Sequence, residues 1–188
     1  MTGIVQFSAL ILAGGQSSRM GEDKALLQLN GQSLLIHMQQ LALTAGASEV
    51  LVSRNQPGFI QDAPGQFGPL AGILAALEHC TSSHLLVLPI DTPRLGVTSL
   101  KLLLQKADGT ASHFANSPLP CVLPVTAALS TIIATQLHRG LRSVKGLLAQ
   151  LNAIAVPISP SELLNANTPQ DWQRCLDIFS KGNLYAKA

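Results

Sequence analysis

The run His84-Leu85-Leu86-Val87-Leu88-Pro89-Ile90 is almost wholly apolar over the length of one strand. Such a run belongs in the middle of a sheet, covered on both faces. The rest of the chain repeats the theme. Residues 8–12 form a buried strand that stops at Gly14-Gly15, 49–52 a second, Phe59-Ile60 a short edge, and 121–125 and 153–158 two more. Helix-period segments lie between them, at 33–44, 70–80, 96–106, 126–137 and 141–151. A last helix over 171–180 has Thr168 as its cap and Pro169 at its first position. Strands alternating with helices build βα units, so the chain reads as an α/β fold around a mostly parallel sheet.

The 188 residues suit one domain over 1–188, with 181–188 as a tail. A chain of this length buries roughly 70% of its unfolded surface and needs no disulfide or structural metal. The charge is +2, only 12% of residues are charged, and no two Lys/Arg residues are adjacent. That excludes a nucleic-acid patch. An anionic ligand must be held by a few placed groups. The low charged share also fits a monomer or a weak homo-oligomer. Cys80, Cys121 and Cys175 form no C-x-x-C pair and the histidines show no i, i+4 spacing, so the cysteines read as packing residues. With no basic leader and no apolar run near the roughly 18 residues of a membrane span, the reading is a soluble protein of a reducing cytoplasm.

The polar motifs fall where strands end. Gly14-Gly15 follows the first strand, Ser53-Arg54-Asn55 the second, Asp62 the short edge, and Asp91-Thr92-Pro93 the central run. Asn165-Ala166-Asn167-Thr168-Pro169 comes shortly after the last. In an open parallel sheet the loops at the strands' carboxyl ends share one edge, and ligands bind there.

The glycines of Gly14-Gly15-Gln16-Ser17-Ser18-Arg19-Met20-Gly21-Glu22-Asp23-Lys24 let backbone N–H groups approach phosphate oxygens. Arg19 can grip a phosphate bidentately and Lys24 adds a point charge. The spelling matches neither the Walker loop nor the dinucleotide G-x-G-x-x-G pattern. Asp91, at the turn after the apolar strand, is placed to hold Mg²⁺, which needs only one or two carboxylates beside phosphate oxygens and water. Capping of the next turn is its plainer role. Thr168 and Pro169 start a helix, whereas Asn165 and Asn167 are two amides that the cap does not require. Phe67-Gly68-Pro69-Leu70-Ala71-Gly72 sets a turn against a helix N-terminus, for an anion or for close packing alone.

The run L-A-G-G-Q-S-S-R-M-G-E-D-K-A closely resembles the signature of molybdenum cofactor guanylyltransferases, and F-G-P-L-A-G-I, P-I-D-T-P and N-A-N-T-P-Q-D resemble that family's later motifs in order. The likeness is strong over 8–94 and 165–171 and weak between; 108–119 matches little, and before the strand near 121 Leu119-Pro120 stands in place of the family's frequent His-Pro. It implies a Rossmann-like three-layer sandwich of the nucleotidyltransferase type, using Mg²⁺ to transfer GMP from GTP to molybdopterin or its molybdenum-loaded form, with release of pyrophosphate. By the same resemblance Leu12, Ala13, Gly14, Gly15, Lys24, Asn55, Asp62 and Asp91 contact the nucleotide. Asp91 is the metal ligand, Arg19, Lys24 and Asp91 serve catalysis, and Asn165 and Asn167 lie on the acceptor side. Arg139, Arg142 and Lys145 are candidates for the acceptor's phosphate, or else a solvated helix face. Other molybdenum cofactor proteins are the implied partners. A cytidylyltransferase for the same pterin is the rival enzyme, one that typically reads L-A-A-G at the loop. A silent nucleotide-binding relative is the rival of another class.

Overall fold

Strands buried on both faces demand helices on both, and the structure supplies them. A computed structural model describes residues 6–14, 22–65 and 68–185. It opens with β1 (Phe7–Leu12), a 3-10 turn at Lys24–Leu26, and a ribbon of β2 (Gln28–Leu29) and β3 (Gln32–Ser33). Then come α1 (Leu34–Ala45), β4 (Glu49–Ser53), α2 (Pro69–Leu77), β5 (His84–Pro89) and α3 (Val97–Lys106). The chain continues through β6 (Ser112–Phe114), β7 (Cys121–Pro124), α4 (Ala127–His138), α5 (Val144–Gln150), β8 (Ile154–Val156) and α6 (Pro169–Tyr185).

The main sheet has six strands in the order β4-β1-β5-β7-β6-β8. β1 pairs parallel with β4 and β5, and β6 with β8, while β7 runs antiparallel to both of its neighbours. The sheet is therefore mostly parallel, with one reversed strand.

Alternate residues of each central strand feed two separate cores. Ala9, Ile11, Leu86, Leu88 and Val122 pack under α1, α3 and α6, against Met38, Leu100, Leu103 and Trp172. Leu10, Leu85, Val87, Cys121 and Leu123 pack under α2, α4 and α5, against Ile73, Ile133 and Leu147. This period-two division makes a three-layer α/β/α sandwich. Both faces are apolar, which is why the strands read as continuous apolar runs. Cys121 and Cys175 are buried and Cys80 half-buried; all three are free, and burial pushes the Cys121 and Cys175 thiols up. Among the described residues no helix is long and apolar enough to cross a membrane.

Four elements differ from the sequence expectation. β6 falls in the stretch that carried no motif. Phe59-Ile60 contributes only a single bridge, between Ile60 and Ser53, rather than an edge strand. The ribbon β2–β3 turns at Asn30-Gly31, both with positive φ (51° and 82°), the pairing favoured by a tight type I′ hairpin. Helix α6 also runs past 180, through Tyr185.

Two details tie the layers. At the amino edge of the sheet, one carboxylate oxygen of Glu49 accepts from Ser8 Oγ (2.5 Å), Thr81 N (2.9 Å) and Thr81 Oγ1 (2.7 Å). The Ser8 hydroxyl first, then the Thr81 backbone N–H, holds its carboxyl below the usual range. A depressed carboxyl pKa adds stability above the ordinary value of 4.5 and loses it as the pH falls through the folded-state value. Glu49→Gln should therefore lower the neutral plateau of a stability–pH profile and flatten its acid limb, with the two curves converging as the pH falls below the folded-state value. An unchanged acid limb would show that Glu49 is not a titrating tie.

The other tie is Gly72 in α2. A Cβ there would lie 2.6 Å from Ser53 Oγ, 3.0 Å from Leu12 Cδ2 and 3.2 Å from Ser53 Cβ, so the Ser53 hydroxyl must turn away and the helix or its neighbours on β1 and β4 must give. Gly72→Ala should cost about 1–3 kcal/mol through overpacking, more than the roughly 0.5–1 kcal/mol that alanine returns in helix propensity. Urea unfolding reads the difference. A stabilised variant would refute the close approach.

Candidate active site

The sheet's carboxyl edge opens into a cleft of about 970 Å³. Parallel strands bring most of its walls there. Leu12, Ala13 and Gly14 end β1, Ser53 and Asn55 follow β4 with Asp62 beyond them, and Ile90 and Asp91 follow β5. Asn165 comes from the segment before α6. The loops are bound to one another by backbone bonds. Ala13 N donates to Ser53 O (2.9 Å), Ile90 N to Leu12 O (3.1 Å) and Ala166 N to Asp91 O (2.8 Å). The expected loops thus form one continuous rim.

Lys24 stands where the rim closes. It begins the 3-10 turn capped by Asp23, whose Oδ1 accepts from Ala25 N at 3.0 Å. From there its ammonium donates to Asn167 Oδ1 (2.6 Å) and lies 3.5 Å from Asp91 Oδ2. The side chains of Lys24 and Asp91 are 15% and 22% exposed, so the pair is shielded yet open to the cleft. An ammonium has three donors, and two of them point at these partners. Among the described residues, no side chain bonds Asp91 Oδ1.

Asn55 and Asp62 form a second pair. Asn55 Nδ2 donates to Asp62 Oδ2 (3.1 Å), and Asp62 N donates to Asn55 Oδ1 (2.9 Å). This ring fixes the loop after β4, and both residues line the cleft. The amino end of α2 opens on the same wall. Its cap Gly68 has φ 95° and bonds no N–H through a side chain, and Pro69 follows it. Positive φ favours glycine there, and the helix end carries partial positive charge toward the cleft. Gly72, one turn on, serves close packing.

The Asn165–Asn167 segment is braced by a reciprocal cap. Thr168 N (3.1 Å) and Oγ1 (2.7 Å) both donate to Asp171 Oδ2, and Asp171 N donates back to Thr168 Oγ1 (3.1 Å). The Thr168 hydroxyl, first among its partners, holds the Asp171 carboxyl below the usual range.

Most of the residues expected from sequence therefore meet in space. Leu12, Ala13, Gly14, Lys24, Asn55, Asp62, Asp91 and Asn165 line the cleft, and Asn167 reaches it through Lys24. Gly15 and Arg19 lie outside the described residues, as does Phe67. Of the three basic candidates near 140, only Arg142 lines the cleft.

Sequence reasoning passed over two features. Ser117, Pro118 and Leu119 form the far wall. They precede β7, and because β7 is reversed its amino end, not its carboxyl end, reaches the cleft. His113 braces that wall through Nδ1, 2.9 Å from Ser117 O and 2.8 Å from Phe114 O. Two carbonyl neighbours require that nitrogen to carry the proton. The second is Arg54, which is buried and paired with Asp23. Its only sequence signal was a charged residue at the end of an apolar strand.

Comparison with known proteins agrees with this geometry. The model of the MobA-like NTP transferase domain matches residues 9–154. A molybdenum cofactor guanylyltransferase from Xanthomonas euvesicatoria is 36% identical over 179 residues, spanning 90% of this chain and 94% of that protein. The structure of molybdopterin-guanine dinucleotide biosynthesis protein A from Archaeoglobus fulgidus superimposes with a TM-score of 0.76 at 22% identity, over 93% of this chain and 99% of that one. A 2-C-methyl-D-erythritol 4-phosphate cytidylyltransferase from Thermus thermophilus gives 0.72 at 19% identity, over 94% and 100%. These two similarities concern the fold alone. With the family model over most of its length and a relative above 30% identity along nearly all of it, the chain belongs to the MobA-like nucleotidyltransferases, in the family of the molybdenum cofactor guanylyltransferases.

Proposed function

We propose that this chain, acting as a single nucleotidyltransferase domain in the cytoplasm, transfers GMP from GTP to molybdopterin or its molybdenum-loaded form. The observation that carries the reading is the junction of Lys24 with Asp91 and Asn167, at the edge where the family's phosphate loop begins. A phosphate oxygen of the acceptor attacks the α-phosphorus, the bond from that phosphorus to the bridging oxygen breaks, and pyrophosphate leaves. No protein nucleophile is required. The protein must align two anions and offset their repulsion.

Each wall has a share in that task. Lys24, with two donors engaged, offers its third to a phosphate oxygen of the triphosphate. Arg19 is assigned to the same triphosphate from the loop that follows Gly14. A Cβ on Gly14 would meet the backbone of Arg54 no closer than 3.6 Å, so packing alone does not demand a glycine there. Its bare backbone is suited to an approaching anion. Asn55, Asp62 and the amino end of α2 take the nucleoside side. Asn165 faces the acceptor, together with the wall at Ser117–Leu119 and Arg142.

The donor set fits Mg²⁺. Asp91 supplies one hard carboxylate, and no group of three His, Cys, Asp or Glu side chains is assembled among the described residues. That arrangement suits a cation completing its shell with phosphate oxygens and water. Bound at Asp91, Mg²⁺ would supply charge neutralisation of the triphosphate.

Pyrophosphate release tests the assignment. With molybdopterin and Mg²⁺, GTP should support release, and CTP, ATP and UTP should not. Preference for CTP would replace guanylyl by cytidylyl transfer, and no release with any nucleotide would reduce the chain to a binder.

Asp91→Asn keeps the shape and removes the charge. Its turnover should fall by about a hundredfold or more, while GTP still binds weakly. Near-normal turnover would remove Asp91 from the metal site.

A further inference from the structure

Lys24 projects from a turn only three residues long, too short to hold a fixed direction without outside support. The support comes from the loop after β4. The Arg54 guanidinium donates to Asp23 Oδ2, the carboxylate whose other oxygen caps that turn through Ala25 N. Arg54 is itself fixed on three sides. Its backbone N bonds Ile60 O at 2.9 Å, its guanidinium lies 5.4 Å from the centre of the Phe59 ring, and its side chain is only 8% exposed. A buried guanidinium needs a carboxylate partner, and among the described residues Asp23 is the one it has.

We propose that Arg54 is a positioning residue for Lys24: by gripping Asp23 from the second strand's loop it sets the turn from which the phosphate-facing ammonium projects. The linkage runs from Phe59 through Arg54 and Asp23 to Lys24, and from Lys24 to Asn167 and Asp91. It joins the loop bearing Asn55 to the end of the glycine-rich segment, so the nucleoside-side and phosphate-side walls are set by one strut. The geometry separates the role of Arg54 from that of Arg142. Arg142 faces the cleft, whereas Arg54 does not line it and acts through its neighbour. The inference rests on the reading of Lys24 as a phosphate ligand. It does not depend on which acceptor takes the nucleotidyl group.

A double-mutant cycle tests it, read as the dissociation constant for Mg²⁺–GTP alongside a thermal melt of each variant. Arg54→Met should weaken GTP about tenfold, within the range of coupled neighbours. In a Lys24→Met background the same change should add less than about twofold, because the group it positions is gone. Arg54→Lys, which keeps a charge for Asp23, should recover part of the loss. If Arg54→Met fails to fold, Asp23→Asn replaces it, since the amide keeps the cap and loses the charge pairing, and the same non-additivity is expected. Equal, multiplicative losses in both backgrounds would make Arg54 a merely structural residue and overturn the proposal. Binding of GTP by the wild type without any transfer would sink the guanylyl reading alone, leaving the cycle to be judged on affinity.

Discussion

The site depends on one ammonium group reaching across the mouth of the sheet. Lys24 lies far in sequence from both partners, 67 residues from Asp91 and 143 from Asn167, yet it touches both. A lysine charge that is mostly shielded from water needs acceptors around it, and these come from two other loops. The three loops therefore lock together only in the folded chain. The same shielding raises the strength of any contact the remaining donor makes, because water screens it less. Structure and chemistry here share one feature: the lysine that closes the rim is the lysine proposed to meet the phosphate.

What lets it do so is the sheet beneath. Strands β1, β4 and β5 run parallel, so their carboxyl ends, and the loops with Gly14, Asn55 and Asp91, share an edge. Burial on both faces holds these strands rigidly, with Leu10, Leu85, Leu86, Val87 and Leu88 fully covered. Gly72 brings α2 tight against β1 and β4, and its helix end with Gly68 and Pro69 then opens on the cleft. Position is thus inherited from packing. The reversed strand β7 supplies the opposite wall and breaks the all-parallel pattern to do it.

Much of this was legible in the chain. Asp91 stood out because a carboxylate ends an otherwise apolar run, and Lys24 because it closes a glycine-rich segment of specific spelling. The strands were legible because a doubly buried strand has no polar residues to disguise it. β6 was not, because Ser112-His113-Phe114 is short and carries polar residues in a pattern no different from a loop. Ser117–Leu119 was missed for a topological reason. Residues before a strand face the ligand only if that strand is reversed, and its direction is set by pairing with β5 and β6, which no local pattern records. The Arg54–Asp23 pair spans 31 residues and depends on burial, which a single charged residue does not announce. The bond from Lys24 to the amide oxygen of Asn167, across 143 residues, was likewise absent from any local pattern.

Everything proposed for the site turns on whether the third donor of Lys24 goes to the triphosphate. A crystal structure of the chain with GTP and Mg²⁺ measures it directly, as the distance from Lys24 Nζ to the nearest phosphate oxygen. The expected distance is about 3 Å, a charge-assisted hydrogen bond, with Asn167 and Asp91 still beside the ammonium. A triphosphate seated elsewhere in the cleft, more than about 6 Å from Nζ and so beyond any direct contact, would contradict it.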